Sequence, residues 1–252
     1  MKYLTGDIGN TLTKITLFNE KFKIIKSSNI ETYKLKKINF CNKFFKNFIN
    51  STVNKTILFS SVVPSAYILI SSFLKKKQYK VIEVKELNIK KMIKLKVNSI
   101  NQLGSDRIAN AIGAFSRYKE NCLVVDFGTA TTFDIIKKPG IYDGGVIAPG
   151  IKLSIVNLNK STALLPILKL KSVAKKYGKN TKDALNAGFL WGYQGLINNI
   201  IKKITTLSKT KYKVILTGGY AKFFKKFVNN NPIIDENITI RGIIEIYKKL
   251  LI

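Results

Sequence analysis

Leu4 to Phe18 reads LTGDIGNTLTKITLF, and Leu123 to Ile136 reads LVVDFGTATTFDII. Each stretch is an apolar strand, an Asp-x-Gly turn with small hydroxyl residues, and a second strand. Asp7 and Asp126 lie nearly half the 252-residue chain apart. That spacing suggests duplication of one supersecondary unit.

Behind each hairpin the pattern changes to alternating helix and strand, which argues for mixed α/β layers. In the first half, KFKIIKSS from Lys21 predicts a third strand, Asn39 to Ile49 a helix, TILFSSV from Thr56 a strand, and Pro64 to Leu74 a helix with Pro in its first turn. In the second half, GIYDGGVIAPG predicts the third strand, Asn180 to Ile204 a long helix, KVILTGGY a strand, and Ala221 to Val228 a helix. Between the halves, Ser105 to Tyr118 predicts a helix, with Ile108, Ile112 and Phe115 on one face and Ser105 as its cap. The expected division is 1–103 and 104–252, with the halves packed around a cleft.

Composition narrows the chemistry. The chain has no histidine and only two cysteines, Cys41 and Cys122. Cys/His zinc sites and Ser-His-Asp catalysis are therefore excluded. No apolar signal core opens MKYLTGDIGNTLT, and no run approaches the ~18 apolar residues that would span a bilayer. A reduced, cytoplasmic protein with no membrane partner is expected. The formal charge of +30 taken alone suggests a polyanion partner. However, Arg107, Arg117 and Arg241 are the only arginines among 44 basic residues, and base readout favours the arginine fork. Scattered, solvated lysines are the simpler account, so no nucleic-acid partner is expected.

A tight turn of Gly9, Asn10 and Thr11 offers backbone N–H groups and a hydroxyl, the donors that a phosphate chain needs. Asp7, at the end of the first strand, is placed to hold Mg²⁺. The same residues also make an ordinary hairpin, with Gly permitting the turn and Asp capping it. Repetition of those donors by Asp126, Gly128, Thr129, Thr131 and Thr132 shifts the balance towards ATP. LTGGYA, from Leu216, places a Gly pair at a helix start, where a flat adenosine can approach the backbone, although a plain strand-to-helix turn uses the same residues. GSDR, Gly104 to Arg107, sets an Asp and an Arg in the first turn of the junction helix. Asp106 suits a proton acceptor and Arg107 an anion partner, although both residue types are also ordinary on a solvated first turn.

In order, DIGNTLTK, LGSDRIANAIGAF, VVDFGTATTFDII, YDGGVIAPGI, GKNTKDALNAG and LTGGYAKF resemble the motifs of type III pantothenate kinases, within the superfamily of actin, hexokinase and the large heat-shock chaperones. The resemblance runs from Asp7 to Phe223 and implies duplicated ribonuclease H-like domains, α/β with mixed sheets flanked by helices. It implies ATP-dependent phosphorylation of pantothenate to 4'-phosphopantothenate, the entry to coenzyme A synthesis. By that likeness Asp7, Ile8, Gly9, Asn10, Thr11, Leu12, Thr13 and Lys14 would contact the ATP phosphates, with Thr129 added from the second hairpin. Asp106 would be the general base. Gly104, Ser105, Asp106, Arg107 and Thr181 would bind pantothenate. Asp126 would hold a monovalent cation, K⁺ or NH₄⁺, beside Mg²⁺, and the protein would be a homodimer. The pattern departs at Val97, where the family commonly carries Tyr, and at Gly6, where an apolar strand residue is usual and glycine is expected to loosen the first strand.

Overall fold

The structure, a computed structural model, describes every residue except Lys175, and Lys36 through its backbone alone. The chain divides into two compact units. The first comprises Met1–Lys119, Lys138–Asp143 and Asn237–Ile252, and the second Glu120–Lys137 and Gly144–Glu236.

The first unit contains strands β1 (Lys2–Ile8), β2 (Leu12–Phe18), β3 (Ile24–Glu31), β4 (Val53–Ser61), β5 (Lys80–Glu83) and β6 (Lys94–Leu95), and helices α1 (Ile38–Phe45), α2 (Pro64–Lys75) and α3 (Ser105–Tyr118). The second begins with β7 (Cys122–Phe127) and β8 (Ala130–Lys137). β9 (Ile141–Pro149) starts among first-unit residues and continues into the second, followed by α4 (Ile151–Lys160), α5 (Thr181–Ser208), β10 (Lys213–Gly218), α6 (Ala221–Phe224) and β11 (Ile233–Ile234). The last helix, α7 (Ile238–Leu250), belongs to the first unit.

The first sheet has the order β3-β2-β1-β4-β5. β1 pairs antiparallel with β2 and parallel with β4. The order β9-β8-β7-β10-β11 repeats that arrangement, with β7 antiparallel to β8 and parallel to β10. β6 extends the Ile141–Tyr142 end of β9. The expected duplication is thus a repeated sheet topology, and the fold is α/β with mixed sheets and flanking helices.

Alternation along the strands directs Leu4, Ile15, Ile57 and Phe59 into one cluster with Phe45, Ile70 and Leu74 from α1 and α2. Gly6 belongs to this face. A Cβ on Gly6 would collide with the ring of Phe59, its paired residue on β4. The glycine therefore makes room for an aromatic ring rather than loosening the strand. In the second unit, Leu123, Val125, Phe133 and Leu216 meet Ile197, Ile201 and Phe224.

A single cut at 103/104 does not describe the two units. α3 packs against β4 and, most extensively, against α7, so it stays with the first unit. The α3–α7 contact is backbone to backbone: a Cβ on Gly242 would meet the Ala109 carbonyl, and one on Gly113 the Ile238 carbonyl. The expected helices also shift. α1 ends at Phe45 rather than Ile49, and the helix from Ala221 closes at Phe224 before a 3₁₀ turn, Lys225–Phe227. Gly104, not Ser105, is the N-cap of α3.

Candidate functional site

The first hairpin is held from behind. Gly9 N–H donates to the Leu12 carbonyl at 3.0 Å, closing the turn. The Thr32 hydroxyl donates to the Gly9 carbonyl at 2.6 Å, and Thr32 N–H donates to the Thr11 carbonyl at 3.0 Å. Three carbonyls of the turn are thereby tied down, which removes negative dipole ends from its outer side and suits it to an anion. Asn10, Thr11 and Leu12 are exposed, whereas Ile8 and Thr13 are buried, so only their backbones can reach a ligand. Lys14 lies opposite Asp7 in the ladder, and its ammonium donates to Asn237 Oδ1 at 2.8 Å.

The GSDR turn lies at the same end of the first sheet. Val62 N–H donates to the Ile8 carbonyl at 3.0 Å, and the Cβ position of Gly104 is 3.3 Å from Val62 Cγ1. Val62 therefore links the Asp7 strand end to the first turn of α3. At Gly104 a side chain would also run into Asp106 Oδ1, so the glycine leaves space for that carboxylate. Asp106 Oδ1 accepts the Arg107 N–H at 2.8 Å. Burial pushes the Asp106 pKa above the usual carboxylate range, against the opposing pull of the Arg107 N–H, the Arg107 charge and Lys85. The Arg107 guanidinium lies 5.9 Å from the centroid of the Tyr142 ring. Beside this turn, Glu83 accepts from Ser61 N–H at 3.3 Å and from Lys85 N–H at 2.6 Å, while burial raises its pKa as well.

Asp126 and Thr129 occupy the equivalent hairpin of the second unit. Thr129 is exposed, and Gly128 N–H donates to the Ala130 carbonyl at 3.0 Å. Gly218 has φ +83°, and a Cβ there would press on Asp126 Oδ1 and the Phe127 backbone. At Gly219 a Cβ would meet nothing within 4 Å, so the strand end is open. Thr181, exposed, is the first residue of α5. Its neighbour Asn180 caps that helix by accepting Asp183 N–H at 2.9 Å. The segment before it is pinned by Asn186, whose Oδ1 accepts Lys171 N–H at 2.7 Å and whose amide donates to Val173 O at 3.0 Å.

The chemistry of the donors fits hard cations held largely by other ligands. Among the described residues no group of three or more His, Cys, Asp or Glu gathers as a metal centre. A divalent ion would take one or two carboxylates and complete its shell with water and phosphate, the habit of Mg²⁺. The Ser60 hydroxyl supports such a shell at Asp7: it is buried, makes no hydrogen bond among the described residues, and stands at the β4 position paired with Asp7. In the second unit the missing Gly218 side chain gives the Asp126 carboxylate its room.

Thr32, Glu83 and Asn237 support these groups, and no local pattern reveals them. Asn237 is far from Lys14 in sequence, Thr32 sits in an unremarkable ETYK, and Glu83 ends a short strand.

A repeated sheet with a hairpin at the front of each half and a glycine pair at the end of the fourth strand of the second is the actin-like fold. Solved structures share it: a Baf family protein from Campylobacter jejuni is 24% identical, with TM-score 0.60, covering 98% of each chain. EutJ, an ethanolamine utilization protein from Carboxydothermus hydrogenoformans, has TM-score 0.56 at 12% identity, over 96% of this chain and 89% of its own. Within that architecture the chain belongs to the type III pantothenate kinase family, whose family model matches residues 3–203. The type III pantothenate kinase of Pelagibacter ubique is 44% identical over 243 residues, 96% of each chain. That of Sulfurihydrogenibium sp. is 35% identical over 251 residues, covering 95% of this chain and 97% of the relative.

Proposed function

We propose that this protein transfers the γ-phosphoryl of ATP to the primary hydroxyl of pantothenate, giving 4'-phosphopantothenate and ADP, with Asp106 as the general base. The observation that carries the reading is a buried carboxylate with a raised pKa at the first turn of α3, joined through Val62 to the Asp7 hairpin. A base poised nearer neutrality is a better proton acceptor for an alcohol than an ordinary solvated carboxylate. The Asp106 carboxylate takes the hydroxyl proton as the pantothenate oxygen bonds to the γ-phosphorus, and the bond from that phosphorus to the bridging oxygen of ADP breaks.

Asp7 and the Gly9–Thr11 turn hold the phosphates, Lys14 adds charge, and Thr129 contributes from the second hairpin. Gly104 to Arg107 line the pantothenate site, with Arg107 offered to an anionic group and Thr181 as a further contact. Mg²⁺, held at Asp7, would offset phosphate charge, and a monovalent cation at Asp126, K⁺ or NH₄⁺, would add to that field.

A cytoplasmic homodimer fits this role. On α5 the buried residues Leu190, Tyr193 and Ile197 face the core, while Gly188, Gly192 and Gly195 have open space above them and Trp191 is 43% exposed. Such a surface permits close approach of a second copy. Among the described residues, no helix is long and apolar enough to cross a membrane.

The test is a coupled assay with ATP, Mg²⁺ and pantothenate, with and without K⁺, beside a panel of sugars and other small alcohols. Product formation that requires both pantothenate and K⁺ supports the reading. Turnover of a sugar with none of pantothenate refutes it.

A further inference from the structure

We propose that Thr32 is a positioning residue for ATP, acting through the first phosphate turn and separating nucleotide affinity from pantothenate affinity. The proposal rests on the Asp7–Lys14 hairpin being that turn. Thr32 is 2% exposed and follows directly after β3. Its hydroxyl has one proton, given to the Gly9 carbonyl at 2.6 Å. The contact of 3.0 Å between the Thr13 and Thr32 hydroxyls must then run from Thr13 as donor to Thr32 as acceptor. Thr13, Thr32 and Gly9 O form a directed chain of hydrogen bonds, each polarising the next.

The Thr32 N–H fixes the Thr11 carbonyl as well, so one residue restrains both sides of the exposed Asn10. A Gly9 carbonyl released from this restraint is free to rotate outward, placing its lone pairs against the phosphate oxygens. Among the described residues, the hydrogen bonds that link Thr13, Thr32 and Gly9 do not involve the GSDR turn. The effect of breaking it is therefore expected on ATP and not on the acceptor alcohol.

Thr32→Val keeps the shape and removes only the hydroxyl, and Thr32→Ser keeps the hydroxyl and removes only the methyl. Steady-state kinetics and calorimetric titration with Mg-ATP on the full chain are the readouts. Thr32→Val should raise the KM and Kd for ATP about tenfold, the scale of one well-buried hydrogen bond. The KM for pantothenate should stay within about twofold, and Thr32→Ser should restore ATP affinity. Adding Thr13→Val to Thr32→Val should change nothing further, since the chain is already broken. Thr32→Val with normal ATP affinity, or with both KM values raised alike and no recovery in Thr32→Ser, overturns the proposal. Should Thr32→Val not fold, Thr13→Val decides: a rise of about threefold in ATP KM supports the chain, and an unchanged value refutes it. Lys14→Met separates the underlying reading. If Lys14→Met and Thr32→Val both leave ATP affinity intact, the hairpin is not the phosphate turn. If only Lys14→Met weakens ATP, the hairpin stands and Thr32 alone is refuted.

Discussion

Opposite the turn aspartate in the first unit stands Lys14, with its ammonium on Asn237; in the second unit the same ladder position holds Thr132, a neutral hydroxyl. The turns differ as well, running from Gly9 to Leu12 in one and from Gly128 to Ala130 in the other. The residue after the third strand meets the turn in each unit, by different means. Thr32 ties its turn with a hydroxyl and an N–H, whereas Gly150 lies so close to the Thr129 carbonyl that a Cβ would strike it. Inside the sheets, the pair Gly6–Phe59 of β1 and β4 is answered by Val125–Leu216 of β7 and β10. A single backbone plan thus tolerates large exchanges of volume and charge, provided that each exchange is compensated by its neighbour. The first hairpin pairs its aspartate with a charged side chain, and the second with a neutral one.

If the acid-base chemistry belongs to the first unit alone, Asp106→Asn should give the largest effect, lowering kcat by at least ~100-fold with ATP affinity nearly kept. A near-normal rate in this variant removes Asp106 from the chemistry. The sign for stability is opposite. Burial raises the folded pKa above its unfolded value, so the contribution of Asp106 to stability is full at acid pH and declines as pH rises through that raised pKa. Asparagine cannot ionise, so thermal melts at neutral pH should show a Tm equal to or above that of the unmutated chain. In the unmutated enzyme the acid limb of kcat/KM for pantothenate should lie at higher pH than an ordinary carboxylate would give.

The asymmetry of the two ladders predicts the next effect. Lys14→Met should raise the ATP KM by roughly 10- to 100-fold, the scale of a lost charge-assisted hydrogen bond. An unchanged value would erase the distinction between the hairpins. Transplanting the second pair into the first sheet tests compensation: Gly6→Val alone should cost about 1–3 kcal/mol by urea unfolding, through overpacking against Phe59. Adding Phe59→Leu should recover much of that loss, and strict additivity of the two changes would contradict a shared volume. Thr132→Val should have the smallest effect, with ATP KM within about threefold, since only a neutral hydroxyl is lost.

Much of this architecture is legible in the sequence. The Asp-x-Gly turns show because short apolar strands stop at glycines, and helices α2 and α3 carry clear start signals in Pro64 and the Gly104–Asp106 turn. The division into units was not legible, because α3 is claimed by packing against α7, and α7 lies at the far end of the sequence. Local pattern carries no information about which sheet a helix joins. The supports of the site were hidden for the same reason: Lys14 meets Asn237, and Gly9 meets Thr32, across intervals that no short motif spans. The role of Gly6 is hidden because a sequence shows the missing side chain but not the Phe59 ring that fills its place.

The late position of α7 has a consequence for synthesis. The first unit needs the Gly113–Gly242 backbone contact, and Gly242 leaves the ribosome only after the entire second unit has emerged. The usual order of N-terminal domain first cannot be completed here. The nascent first sheet must wait with the α7-binding face of α3 uncovered, so the first unit closes only after the chain of the second is complete.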